Sequence, residues 1–362
     1  MKAHFQSALI MSSSTKPYLY IILLASALSS CGKKEEPVGP KEWTYTVSTF
    51  AGAGTVGAND GVGTVATFNQ PTALALDAQG TLFVADAGNN CVRKITANGT
   101  VSTLNASGAV PRFYAPNGIA IDLQGALYVS SLIEHKIYKV TALGVVSVFA
   151  GTACGSCNGM LNGPANAALF NYPAGIATNG QGDVYVADSR NNCIRKITQA
   201  GIVSTVAGSG TYGYADGPVA TAEFKTPMGI AVDQNGTVYV SDGGNNCIRK
   251  ITPAGTVSTL AGSITPGSVD GIGSTAKFSR PLGIAIDGQG ALYVTDYNNF
   301  CIRRIDSAGQ VSTLVGLVNM PGYVDGSATI ARFNNPYGIV ASPQGKEIYV
   351  ADNYRIRKLN GQ

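Results

Sequence analysis

The sequence predicts an all-β chain: a six-bladed β-propeller of four-stranded antiparallel blades, its ring closed by an N-terminal strand that completes the C-terminal blade. Three observations predict it. A unit of four short apolar runs recurs in register, as in residues 227–262 (PMGIAVDQNGTVYVSDGGNNCIRKITPAGTVSTLAG). The anchor prolines of its copies stand at 71, 116, 173, 227, 281 and 336, which are 45 to 57 residues apart. The two ends of the chain are incomplete in complementary ways. A repeat of this length marks one supersecondary unit built over and over, and a four-stranded unit is a propeller blade.

Within residues 227–262, Gly229-Ile230-Ala231-Val232 is apolar on both faces, as a buried inner strand should be. Residues 237–241 (TVYVS) alternate and end at Asp242, residues 247–252 (CIRKIT) mix apolar and basic side chains, and residues 256–260 (TVSTL) form a more polar outer strand. The connections carry Gln234-Asn235-Gly236, Gly243-Gly244-Asn245-Asn246 and Pro253-Ala254-Gly255, which are turn compositions, so neighbouring strands pair as hairpins. The long connections between blades share Asp60-Gly61, Asn162-Gly163, Asp216-Gly217, Asp270-Gly271 and Asp325-Gly326, read as turn formers. Phe68, Phe170, Phe224, Phe278 and Phe333, each three residues before an anchor proline, read as wedges between blades. The last copy stops after its third strand, while residues 47–52 form an outer strand with no blade before it. Joining them leaves no exposed edge at the seam.

Composition agrees and excludes one class of partner. Glycine numbers 45 in 362 residues and charged residues only 13%, which suits short strands and tight turns. A net charge of +4, with no basic run in the repeats, gives nucleic-acid binding no electrostatic support. The domain plan is a signal peptide over 1–30, a flexible tether over 31–43 and the propeller over 44–362. Lys2 and Lys16 precede an apolar stretch over 18–28 that is short for a membrane span and ends in small residues. A start at Met11 would give a more usual signal length. Leu28-Ser29-Ser30-Cys31 resembles the lipobox of bacterial lipoproteins, which implies a lipidated Cys31 as mature N-terminus. The expected location is therefore the bacterial cell envelope, lipid-anchored at the outer membrane. Lys34-Glu35-Glu36 is similar to a surface-export signal of Bacteroidetes lipoproteins.

The repeat itself carries a family resemblance. Pro-x-Gly-Ile-Ala-x-Asp, then Leu/Val-Tyr-Val-x-Asp, then Asn-Asn-x-Ile-Arg-Lys-Ile resembles the NHL repeat across residues 44–362. That resemblance implies a six-bladed propeller and leaves the function open, since such propellers serve as lyases, receptor sensors and binding platforms.

Chemistry is scarce in this chain. His4 and His135 are its two histidines, and His4 lies in the signal. An amidating lyase of the NHL family would imply several zinc-binding histidines, and His135 has no Gly-x-Ser-x-Gly turn to complete a triad. No catalytic residue, metal site or cofactor is assigned; calcium enters only under the rival reading, a lactonase or lyase with a metal at the channel mouth. Asp86, Asp188, Asp242, Asp296 and Asp352, which end the second strands, are expected to accept turn N–H bonds, and Asp77, Asp122, Asp233 and Asp287 to form turns at the opposite end. Of seven cysteines, Cys154 and Cys157 are the candidate disulfide, and Cys91, Cys193, Cys247 and Cys301 read as buried free thiols.

Positions that vary among the copies are free to serve a ligand. Thr72, Asn117, Ala174, Met228, Leu282 and Tyr337 should ring the channel mouth, without a carboxylate. Arg190, Tyr297 and Tyr354 follow second-strand ends on the face where the long loops open. In the irregular second blade, Ser131 replaces the aspartate, Glu134-His135 replace Asn-Asn and Tyr138 replaces the arginine. The candidate binding face is thus Thr72, Asn117, Met228, Leu282, Tyr337, Arg190, Tyr297, Tyr354, Glu134 and His135. The expected function is that of a monomeric binding or scaffold lipoprotein, holding the membrane through Cys31 and an unidentified protein, peptide or glycan through the long-loop face.

Overall fold

The computed structural model describes residues 43–104, 112–154 and 157–362; the signal, Cys31 and most of the tether lie outside them. Six antiparallel sheets stand around a central channel. In the fourth blade, Pro227–Val232 lines the channel, followed outwards by Val238–Asp242, Cys247–Ile251 and Thr256–Gly262. The turn between the first two strands is set by Asp233, whose Oδ1 accepts the N–H groups of Asn235 and Thr237 at 2.9 and 2.8 Å. A single 3₁₀ turn, Gly243–Asn245, ends the second strand and leaves Asn246 at φ 56°. Asparagine is the non-glycine residue that tolerates that left-handed conformation best.

Ring closure is the expected one. Tyr45–Ala51 pairs with Arg355–Gly361, with Val47 opposite Leu359 and Ala51 opposite Ile356, so the first strand of the chain is the fourth of the last blade. Five blades also carry a fifth, outermost strand of two residues, absent from the sequence reading: Gly61–Val62, Gly163–Pro164, Gly217–Pro218, Gly271–Ile272 and Gly326–Ser327. Each begins at the glycine of an Asp/Asn-Gly pair. The long connection therefore crosses to the outer edge of the next blade, pairs there, and only then runs in to the channel. The second blade, whose preceding loop has no such pair, has four strands among the described residues.

The core lies between blades. Ala231, Ile248 and Ala261 of the fourth blade pack with Phe278, Ile284, Val294 and Ile305 of the fifth, all buried. Each such large side chain contributes roughly 1.5–3 kcal/mol by leaving water. Near the axis the inner strands approach too closely for a side chain: a Cβ on Gly229 would stand 2.2 Å from the Leu282 carbonyl oxygen of the next blade, and one on Gly175 2.3 Å from that of Met228. The repeated glycine after the anchor proline is thus a packing requirement. The first blade carries Ala73 instead, and its bulge is re-registered, with Ala73 paired to Ala85.

Candidate functional site

The most regular polar feature is an arginine hub buried in five blades. Arg93, Arg195, Arg249, Arg303 and Arg357 have no solvent exposure. Arg249 donates to Asp242 Oδ2 at 3.0 Å, to Asp216 Oδ1 at 2.6 Å, and to the Glu223 and Ala215 carbonyls at 2.9 and 2.8 Å. Its guanidinium lies 5.0 Å from the centroid of Phe224, and the same stacking joins each hub arginine to the phenylalanine before its blade. The second-strand aspartates do accept a turn N–H, as in Lys225 N–H to Asp242 Oδ1 at 2.8 Å. Their other oxygen belongs to the arginine and, in all but Asp352, to an asparagine as well, Asn245 in this blade. Burial pushes Asp188, Asp242 and Asp296 up to about 6, against the opposing hydrogen bonds of the asparagine, backbone and arginine. Sequence reading missed the hub, although arginine recurs at one position of the third strand in five copies.

The second blade replaces the hub with a neutral donor set. Glu134 Oε2 accepts from Tyr138 Oη at 2.8 Å and lies 3.2 Å from Ser131 Oγ, whose one hydroxyl hydrogen goes to the Tyr114 carbonyl oxygen at 2.6 Å. Burial and then the Glu134 carboxylate push the Tyr138 phenol up. Phe113, three residues before Pro116, packs edge-on against Tyr138 at 5.4 Å, so the wedge position is filled here too. His135 takes the left-handed corner at φ 57°, and its Nδ1 accepts the Tyr172 N–H of the third blade at 3.1 Å. Asn246 does the same for Arg280 N–H at 2.9 Å. Burial, then the Arg190 charge, holds the imidazole below its ordinary pKa. Glu134 and His135 thus serve the blade and its junction.

The channel and its mouth form a concavity of about 350 Å³, lined by the six inner strands and by Thr72, Asn117, Met228, Leu282 and Tyr337. Ala174 is fully buried and does not face it. The Thr72 hydroxyl is spent on the Pro116 carbonyl at 2.9 Å. Asn117 Nδ2 donates to the Tyr337 hydroxyl at 3.3 Å, joining the second and sixth blades across the mouth. Tyr297 meets Tyr337 edge-on at 6.1 Å, and Arg280 lies over Tyr297 at 5.4 Å. Farther round, exposed Arg190 stacks on Tyr172 at 3.6 Å, and Tyr354 is half-buried beside the last blade. The structure therefore brings Asn117, Tyr297 and Tyr337 together and keeps Arg190, Tyr354, Glu134 and His135 apart from them.

Among the described residues no three or more His, Cys, Asp or Glu are grouped as a metal would require. The recurrent carboxylates that could have served calcium are engaged by arginine instead. Cys154 and Cys157 form a disulfide with Cα atoms 5.6 Å apart, and Cys91, Cys193, Cys247 and Cys301 are buried and free.

Comparison with known proteins follows the same lines. The family described as the teneurin NHL domain matches residues 59–219, and the NHL repeat matches residues 224–251 and 278–305. Protein Suppressor of quenching 1 of Arabidopsis thaliana is 34% identical over 41% of this chain, and Teneurin-3 of Danio rerio 30% identical over 54%. The chain covers only 15% and 8% of those two proteins. Solved structures cover more of it. A protein of unknown function from Bacteroides thetaiotaomicron superposes with a TM-score of 0.71 at 22% identity, over 89% of this chain and 77% of that one. An auxiliary nutrient binding protein from Bacteroides ovatus gives 0.69 at 18%, over 89% and 78%. An inactive histidine-to-alanine form of virginiamycin B lyase from Staphylococcus aureus gives 0.54 at 16%, over 87% and 99%. With NHL repeats matched over residues 224–251 and 278–305 and five of the six blades built on one plan, the chain is a six-bladed β-propeller that carries NHL repeats.

Proposed function

We propose that this propeller is a non-enzymatic binding module, lipid-anchored through Cys31 in the bacterial envelope, which presents its long-loop face to a ligand. The observation that supports this most is the allocation of its polar groups. The recurrent aspartates are consumed by buried arginines, and His135 is committed to a blade junction. What faces the channel mouth is tyrosine, asparagine, methionine and leucine. Those residue types recognise; they do not supply a nucleophile with its base. A binding role is one this fold serves in the auxiliary nutrient binding protein of Bacteroides ovatus. The rival reading is a metal-assisted lyase or lactonase, and the fold is shared with virginiamycin B lyase, where loss of a histidine inactivates.

Metal analysis with calcium-dependent melting separates the two. The binding reading expects no stoichiometric metal and no calcium-dependent rise in melting temperature; a bound, stabilising calcium would overturn it. Anchoring has its own test: Cys31→Ala should move the protein from the membrane fraction to the soluble one, and unchanged retention refutes the lipid anchor.

A further inference from the structure

Arg280 stands immediately before the inner strand Pro281–Ile286, outside the residues that line the channel cavity. Its backbone is fixed, with φ at 55° and its N–H bonded to Asn246 Oδ1 at 2.9 Å. The side chain is held as well, over the Tyr297 ring at 5.4 Å, and Tyr297 in turn packs edge-on against Tyr337. Its charge reaches Tyr337: burial raises that phenol, while Asn117 and Arg280 act to lower it. Each hub arginine has a carboxylate partner, but among the described residues none pairs with Arg280. A guanidinium that lies over an aromatic ring just ahead of a channel-lining strand, with no counter-ion of its own, is arranged for an anion from outside.

The surroundings narrow the class of anion. The cavity of about 350 Å³ is at the small end of the roughly 300–1,000 Å³ range of ligand pockets, which suits a small molecule. The neighbouring polar groups, the Tyr337 hydroxyl and the Asn117 carboxamide, are neutral, so one charge is balanced and a second would be left without a partner. Met228 and Leu282 supply an apolar wall. Resting on the reading of this face as the ligand surface, we propose that the channel mouth binds a small organic monocarboxylate. The carboxylate pairs with the Arg280 fork and accepts hydrogen bonds from Tyr337 and Asn117, and its apolar body lies against Met228 and Leu282.

Ligand-observed NMR on the full chain tests this with hexanoate, phenylacetate and glucuronate, each beside its primary amide, and with methyl phosphate. At least one acid should bind saturably and its amide about tenfold more weakly or worse, since a charge-assisted pair is lost. Arg280→Gln should weaken the acid by about tenfold or more, with its melting temperature unchanged because the side chain is exposed, and Tyr337→Phe should weaken it too. Absence of carboxylate-selective binding across the panel, equal binding of methyl phosphate, or undiminished binding by Arg280→Gln would each overturn the proposal. If the acids fail while capture of an envelope ligand still depends on Tyr297 and Tyr337, this inference falls and the binding face stands; if capture is also independent of them, both fall.

Discussion

Arg249 and Asp242, neither exposed to solvent, meet at 3.0 Å in the middle of the fourth blade, seven residues apart in sequence and on adjacent strands. A pair taken so completely from water is costly unless every remaining hydrogen-bonding group is matched. Here Asp216, two loop carbonyls and the Phe224 face match the guanidinium at all but its Nε–H, which is buried without a partner in every hub arginine, so the pair ties the long connection to the blade.

Removing one partner should therefore hurt more than removing both. Arg249→Met leaves the Asp242 charge buried without its counter-ion, and the expected loss is about 3–5 kcal/mol of unfolding free energy. The double variant Arg249→Met/Asp242→Leu should lose less than the single one. Urea unfolding of both variants checks the order; equal losses would show that the charges are not coupled.

Close approach of the inner strands gives a second expectation. Gly229→Ala puts a methyl group into the Leu282 carbonyl of the neighbouring blade, and backbone cannot yield as a side-chain tip can. The cost should be about 1–3 kcal/mol in the same unfolding assay. Gly163→Ala, on the outer edge with nothing within 4 Å of its Cβ, tests whether the effect is steric crowding, although its φ of 123° adds backbone strain of its own.

Thiol chemistry reports on the same core. Burial raises the Cys91 thiol to about 11 and those of Cys193, Cys247 and Cys301 further, so thiolate is scarce at pH 8 as well as inaccessible. Alkylation mapped by peptide mass should leave these four unmodified in the native protein and label them all in denaturant. Native labelling at any of them would mean that its blade opens.

The seam between the ends is a third structural commitment. Deleting residues 1–42 should leave stability unchanged. Deleting residues 1–51 removes the strand that covers Arg355–Gly361 and exposes an unpaired edge, so it should lower the melting temperature and promote aggregation. Light scattering of the two truncations distinguishes them.

Much of this architecture is legible in the sequence because the repeat displays each strand six times, and because the unmatched strand at each end implies its partner. The fifth strand is not legible: two residues beginning at the glycine of Asp-Gly carry no periodicity, and only the pairing of Gly217 with Val257 reveals it. The hub escapes for a different reason. Arg249 reads locally as a basic residue in a mixed strand, while its partners Asp242 and Asp216 are supplied by the neighbouring strand and by a loop thirty-three residues earlier. At the candidate site, variation among copies identifies Asn117, Tyr297 and Tyr337, which the fold then joins. The same criterion also selects Glu134 and His135, because a blade that has exchanged one structural device for another varies as a binding site does.

The most direct test is ligand capture from an envelope extract by the wild-type chain, by the mouth variant Tyr297→Ala/Tyr337→Ala, and by an opposite-face variant, Gln181→Ala/Asn235→Ala. Wild type and the opposite-face variant should retain the same ligand, and the mouth variant should lose it while keeping the native fold by circular dichroism. Equal retention by all three, or loss only in the opposite-face variant, would contradict the assignment of the long-loop face as the binding surface.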